Sequence, residues 1–296
     1  MTAWGPTVSE VGTDSLAPEA NPIGLGQAWR LVQETKPPQG QAGRNLGKAS
    51  GSSLEFQDFR DYQMGDDLRH VDWRAYARTD QLTIRLYHEE LATTLELVID
   101  SSASMDLTSA KALGWRSLAT FLHAAAAGEF SVKALHAGES TRPITADVFQ
   151  NEKLPGIQPA GSLSLVDSPC EGLLRQGSLR IVLSDFIFPH DPASLVAQWG
   201  RGASRLVFIQ ILDGGESQPQ ARGMLRLQEI ETGKWRDLPV DGPMTKRYQQ
   251  RLQRLQGGLE EEIRRRNGLW ISLSTQSTLE NWIHGPLHES GLIGPR

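Results

Sequence analysis

The 296 residues include 35 acidic and 30 basic side chains, a formal charge of −5, with 39% hydrophobic residues. This is the composition of an ordinary globular protein, long enough for one large domain or a domain with a smaller region. It lacks the cationic excess with which non-specific nucleic-acid binders neutralise phosphates, and its single cysteine, Cys170, excludes an internal disulfide.

Residues 1–22 are rich in Pro, Gly, Ser, Thr and acids and read as a flexible tail, with no apolar segment of the signal-peptide or anchor kind. No run of about eighteen apolar residues follows anywhere, so the expectation is a soluble, cytoplasmic protein with no membrane insertion. Leu25, Trp29 and Val32 recur at helical spacing and predict a short amphipathic helix. Lys36–Ser53 reads as loop. Within it, Gly43-Arg-Asn-Leu-Gly47-Lys48-Ala49 imitates a phosphate loop, but it has three residues between the glycines and no hydroxyl after the lysine.

Glu55–Glu90 is a charged block. Arg60, Arg69, Arg74, Arg78 and Arg85 alternate with Asp58, Asp61, Asp66, Asp67 and Asp72 and with Phe56, Phe59, Tyr62, Trp73 and Tyr76, without a single lysine. Arginine pairs two-pronged with carboxylates and stacks on rings. The pattern therefore predicts fixed pairs at Arg60, Arg69 or Arg78 and a packed Trp73. Residues 23–90 form this N-terminal region, and 91–296 a second domain.

From Glu89 onward, strand and helix patterns alternate. Leu95–Asp100 is a buried-strand run; Ala110, Leu113, Ser117, Phe121 and Ala125 mark a helix face, which Leu118 and Leu122 widen. Phe130–Leu135, Leu179–Phe188, Arg205–Leu212 and Leu269–Leu273 are further strand runs. Ala193–Trp199 is helical. Alternating segments over Leu225–Val240 read as a hairpin insertion near 222–242, and Tyr248, Leu252, Leu255, Leu259 and Ile263 trace a long helix. Such alternation implies an α/β fold, a doubly wound and mainly parallel sheet of Rossmann type. Arg264, Arg265 and Arg266 end the long helix, where cations complement the dipole; with Glu260–Glu262 beside them they read as a solvated face.

The richest chemistry lies at Leu95–Ser104, L-E-L-V-I-D-S-S-A-S. An apolar strand ends on Asp100, at a strand end expected to lie outside the core, and Ser102 and Ser104 follow before the next helix. Leu179–Phe188 ends likewise on Ser184-Asp185, and Pro159-Ala160-Gly161-Ser162 offers a third hydroxyl. In open α/β sheets, ligands bind at this end of the strands. Carboxylates and hydroxyls suit a hard cation, Mg²⁺ foremost, with Mn²⁺ or Ca²⁺ as alternatives.

This set resembles the metal-ion-dependent adhesion site (MIDAS) of von Willebrand factor A-like domains. The D-x-S-x-S loop matches Asp100, Ser102 and Ser104. The second-loop threonine is matched by Ser162, with Ser164 as a near neighbour, and the third-loop Asp by Asp185. The charged block is similar to the signature of the bacterial domain-of-unknown-function 58 family, E-F-x-x-x-R-x-Y-x-x-G-D-x-x-R-x-x-D-W-x-x-x-A-R-T. It is matched by Glu55, Phe56, Arg60, Tyr62, Gly65, Asp66, Arg69, Asp72, Trp73, Ala77, Arg78 and Thr79. This resemblance spans about residues 24–282. The first resemblance implies metal ligation by Asp100, Ser102, Ser104, Ser162 and Asp185; the second implies a family with no established enzymatic activity that acts beside a MoxR-type AAA+ ATPase in protein assembly or maturation.

The residues themselves favour binding over turnover. An aspartyl phosphatase needs D-x-D, and Ser102 stands where its acid/base carboxylate belongs. His284 and His288 are separated by Gly285-Pro286 and read as surface residues rather than zinc ligands. The expected function is a non-enzymatic, Mg²⁺-dependent protein-interaction module whose partner supplies a Glu or Asp. A Mg²⁺-dependent phosphoester hydrolase is the alternative.

Overall fold

The computed structural model of the chain describes residues 21–32, 54–63, 71–89, 93–150, 165–219, 222–228 and 234–296. In chain order, α1 (Pro22–Ala28) and β1 (Trp29–Leu31) are followed by β2 (Leu54–Asp61), α2 (Trp73–Thr79) and β3 (Thr83–Glu89). Next come β4 (Thr93–Asp100), a 3-10 turn at Ala103–Asp106, α3 (Ser109–Ala126), β5 (Phe130–Ala137), β6 (Arg142–Ile144) and α4 (Ala146–Gln150). After these lie β7 (Leu179–Ser184), α5 (Pro192–Gly200), β8 (Arg205–Leu212), α6 (Gly214–Ser217), β9 (Gly223–Gln228) and β10 (Trp235–Val240). The chain closes with α7 (Gly242–Arg265), β11 (Leu269–Ser274), α8 (Leu279–Trp282) and β12 (Ile293–Pro295). Two compact units result, one of residues up to Glu34 with Thr94–Arg296, the other Thr35–Thr93.

The larger unit is a six-stranded sheet in the order β11-β8-β7-β4-β5-β6. The pairings of β11 with β8, β8 with β7 and β7 with β4 are parallel, and the edge strand β6 runs antiparallel to β5. Strand periodicity sends alternate residues to opposite faces. Leu95, Leu97 and Ile99 join one core with Ile181, Leu183, Val207 and Ile209, against Trp115, Leu118 and Leu122 of α3 and Trp282 of α8. Val98, Val182, Leu206 and Phe208 join the other, against Leu195, Val196 and Trp199 of α5 and Leu259 and Ile263 of α7. Both faces of the central strands are thus covered, as continuous apolar runs require. Trimming one of these side chains, Leu97→Ala for example, costs about 2–5 kcal/mol.

Side-chain caps start the long helices: Thr108 accepts from the Lys111 N–H, Asp191 from Ser194 and Asp241 from Met244. Helix α7 stops where Asn267 turns left-handed (φ 55°) and the Gly268 N–H donates back to the Ile263 carbonyl. A Cβ on Gly268 would sit 2.5 Å from the Leu206 carbonyl oxygen, so only glycine lets the chain turn this close to β8.

Three expectations change. The helix drawn through Leu25, Trp29 and Val32 ends at Ala28, because Trp29–Leu31 pairs antiparallel with Ile293–Pro295. On α3, Leu118, Phe121, Leu122 and Ala125 are buried as the spacing predicts, but Ala110 and Leu113 are exposed, and Lys111 and Trp115 are the residues buried in the first turns. Trp73, expected to be packed, is 56% exposed. It occupies the first position of α2, a helix with no buried residue, and meets the Tyr76 ring edge-on.

In the smaller unit β2 and β3 pair antiparallel. Asp72, buried, caps α2 by accepting from the Arg74 and Ala75 N–H groups at 3.0 and 3.1 Å. Arg60 donates to the Asp61 carbonyl and Arg78 is exposed, while Arg69 and the Gly43–Lys48 loop lie outside the described residues. The alternating segments of 225–240 form the antiparallel pair β9–β10. His284 and His288 are exposed, each edge-on to Trp29, and the backbone between them leaves helical geometry at Gly285.

Candidate functional site

Strands β4 and β7 are parallel neighbours with Ile99 opposite Leu183, so the next residues, Asp100 and Ser184, leave the sheet side by side. The Ser184 hydroxyl donates to Asp100 Oδ2 at 2.5 Å, and the Ser102 N–H donates to Asp100 Oδ1 at 2.9 Å. The Ser102 and Ser104 hydroxyls are 3.0 Å apart. Ser101 faces the other neighbour, with its N–H and hydroxyl both donating to the Ala137 carbonyl at the end of β5. Met105 plugs into the core, and Asp106 accepts from the Trp115 indole and the Arg116 guanidinium, which fixes the loop to α3.

Asp185 follows β7 directly. Its Oδ1 accepts from the Ile187 N–H at 3.0 Å and its carbonyl accepts from the Gln210 amide at 2.7 Å. The chain turns here through Phe186 at φ 53°, a left-handed conformation that costs about 1–3 kcal/mol in a non-glycine residue. Stacking of the buried Phe186 ring on Phe208, 4.8 Å between centroids, holds that turn in place.

Both carboxylates are removed from solvent: Asp100 is 0% exposed and Asp185 2%. The expectation that Asp100 lies outside the core is therefore corrected. Residues at the end of a central strand are roofed by the loops that follow it. Burial, then repulsion from Asp185, pushes the Asp100 carboxyl up to about 7, against the hydrogen bonds from Ser184 and Ser102. An acid this far above its ordinary range marks a place short of positive charge.

One positive charge is already present. Lys111, in the first turn of α3 and wholly buried, donates to Asp185 Oδ2 at 2.9 Å and to Glu216 Oε1 at 2.7 Å. Burial disfavours its charge, but Asp185 and Glu216 outweigh burial and raise its pKa above the ordinary lysine value. Glu216 belongs to a capping box on α6: its Oε2 accepts from the Asp213 N–H at 2.8 Å, and Asp213 accepts from Gly215. Burial raises the Glu216 carboxyl despite Lys111. Asp213 in turn accepts from the hydroxyls of Thr108 and Thr275, and the Tyr248 hydroxyl donates to the Glu216 carbonyl.

Of the sequence-derived ligands, Asp100, Ser102, Ser104 and Asp185 thus gather at the C-terminal ends of β4 and β7, and Ser162 and Ser164 lie outside the described residues. Sequence reasoning missed Ser184, Lys111 and Glu216. The signal for Lys111 was its place in line with Trp115, Leu118 and Leu122 on a buried stripe. Among the described residues no three His, Cys, Asp or Glu side chains form a metal cage. A cation at this site would depend on hydroxyl and water oxygens beside the two aspartates.

A second buried charge cluster sits at the opposite end of the same strands. Glu96 and Arg180 face each other in register, Oε2 accepting from Nε at 2.9 Å and Nη2 at 2.7 Å. Ser178 and the Arg175 N–H complete Glu96, and the Trp199 and Arg201 carbonyls accept from Arg180. Every partner is internal, which makes this a structural pin.

Residues 58–141 match the family described as "Protein of unknown function DUF58". Uncharacterized proteins of Mycobacterium bovis and Mycobacterium tuberculosis are 26% identical over 218 residues, 67% of this chain and 68% of theirs. Two solved structures align with 67% of this chain and 98% of their own at a TM-score of 0.38. One is a conserved hypothetical protein BatB from Bacteroides thetaiotaomicron (11% identity), the other an aerotolerance-related membrane protein from Bacteroides fragilis (12%). No helix among the described residues is long and apolar enough to cross a membrane.

Proposed function

We propose that the larger unit is a von Willebrand factor A-like domain that binds Mg²⁺ through Asp100, Ser102, Ser104 and Asp185, with Ser162 as the second-loop hydroxyl, and uses the metal to engage a partner protein. The observation that carries this reading is the pair of buried carboxylates at adjacent strand ends, one pushed up to about 7 by burial and by the other, beside two hydroxyls 3.0 Å apart. The donors fit a hard divalent cation in kind, being oxygens only, and the excess negative charge fits it in sign. Mn²⁺ or Ca²⁺ satisfies the same chemistry. When bound, the metal supplies a coordination position for an external carboxylate.

The protein's own residues do the rest. Ser184 and the Ser102 N–H orient Asp100; Ile187 and Gln210 hold Asp185. Ser102 stands two residues after Asp100, where an aspartyl phosphatase carries its acid/base carboxylate, and this favours binding over hydrolysis. A protein presenting a Glu or Asp is the fitting partner, and a MoxR-type AAA+ ATPase is the specific candidate that the charged-block resemblance supplies. The test is a pull-down from cell extract in Mg²⁺ and in chelator, repeated with Asp100→Ala. A partner retained only by the wild-type protein in Mg²⁺ supports the reading; one retained equally in all three refutes it. Turnover of a generic phosphoester in Mg²⁺ would favour the hydrolase alternative.

A further inference from the structure

Resting on the reading of this site as a divalent-cation site, we propose that Lys111 is its resident counter-cation. In the absence of metal its ammonium holds Asp185. An arriving divalent ion competes with it for that carboxylate, and Glu216 retains the displaced ammonium. The Lys111–Glu216 pair thereby sets the metal affinity.

The geometry of the partners carries the inference. Asp185 Oδ1 accepts from the Ile187 N–H, and Oδ2 is the oxygen that Lys111 contacts at 2.9 Å, so a cation approaching Oδ2 meets the ammonium. Glu216 is a fixed post. Its Oε2 is tied to the Asp213 N–H, its carbonyl to the Tyr248 hydroxyl, and only Oε1 is given to Lys111, at 2.7 Å. The ammonium therefore has two anchors of unequal duty, one in the candidate metal site and one beside it. A wholly buried ammonium must keep a partner, and Glu216 remains one when Asp185 is taken. Lysine suits the task as a compact charge on a flexible stem, able to shift between acceptors where a guanidinium fork would be fixed. The charge balance agrees. One ammonium faces Asp185 and Glu216 with Asp100 close by, so the cluster keeps an excess negative charge that attracts a cation, yet is neutralised enough to assemble without one.

Two substitutions pull in opposite directions. Lys111→Met removes the competitor and should tighten Mg²⁺ and Mn²⁺ binding by about tenfold or more, the scale of one unit charge a few ångströms away in a partly screened site. Glu216→Gln removes the alternative anchor and one negative charge, and should weaken binding by about tenfold. Both are read by calorimetry on the chelator-treated full chain, with the melting temperature in chelator and in Mg²⁺ alongside. Lys111→Met should melt lower in chelator than wild type and gain more from Mg²⁺. A merely structural lysine would weaken metal binding in both variants, and that result, or wild-type affinity in both, overturns the proposal while the metal site stands. No Mg²⁺ or Mn²⁺ binding by wild type or either variant overturns the metal reading and this inference with it. Should Lys111→Met fail to fold, Glu216→Gln decides alone: weakened binding with an unchanged melting temperature in chelator supports the proposal, and unchanged affinity refutes it.

Discussion

Asp100→Asn should make the metal-free protein more stable. The wild-type carboxyl is raised from 3.8 to about 7, so the folded state holds its proton more tightly than the unfolded chain does. Folding stability from this group is therefore greatest below pH 4, falls as pH rises by about 1.4 kcal/mol per pH unit, and levels off above about 7. A rise of this size amounts to about 4 kcal/mol lost at alkaline pH, an upper figure because Asp185 repulsion is part of it. Asparagine keeps the shape and accepts from the Ser102 N–H, and the Ser184 hydroxyl, which also accepts from the Phe186 N–H, has a lone pair for the new amide. Urea unfolding in chelator should show Asp100→Asn more stable than wild type by about 2–4 kcal/mol at pH 8, with the difference shrinking toward pH 4. Added Mg²⁺ should stabilise the wild type and leave the variant unmoved. A variant less stable than wild type at pH 8, or one with the same slope against pH, would refute the electrostatic account of this site.

Arg180→Met should cost about 3–5 kcal/mol in urea unfolding, because it leaves Glu96 buried without its cation, whereas the double variant Glu96→Met, Arg180→Met should cost clearly less than the two single changes summed; additive losses would count against a coupled pair. Gly26→Ala should lower stability by about 1–3 kcal/mol, since its Cβ would come within 2.5 Å of the Ala124 Cβ and 2.7 Å of the Phe121 carbonyl; an unchanged melting temperature would contradict the close approach of α1 to α3. Trp73→Ala should change stability by less than about 0.5 kcal/mol, and a larger loss would contradict its exposure.

The sheet was legible because its strands are apolar on both faces, a pattern that allows few alternatives once helices separate them. Asp100 and Asp185 could be placed at one sheet edge for the same reason: a strand rule fixes where each run ends. Burial at those ends could not be read, since it depends on the loops that roof them. The face of α3 was legible at Leu118, Phe121, Leu122 and Ala125, but its first turns bury Trp115 and Lys111 rather than Ala110 and Leu113, and Lys111 could be found only by its place in line with Trp115, Leu118 and Leu122. Its carboxylate partners are 74 and 105 residues away in sequence, beyond any local pattern. Glu96 and Arg180 carried a comparable signal, each a lone charge inside an apolar strand, and their pairing followed only from the register. The charged block promised packing through its aromatics, yet Trp73 lies outward, because the helix it opens is capped by Asp72 and buries nothing.

The central claim is a divalent-cation site built on Asp100 and Asp185, and calorimetric titration of Mg²⁺ into chelator-treated protein at pH 8 tests it most directly. The account predicts one site per chain in the wild type, absent in Asp100→Ala and in Asp185→Ala and weakened in Ser102→Ala and Ser104→Ala. Equal affinity in the wild type and in both aspartate variants, or no binding to wild type at millimolar Mg²⁺, would contradict it.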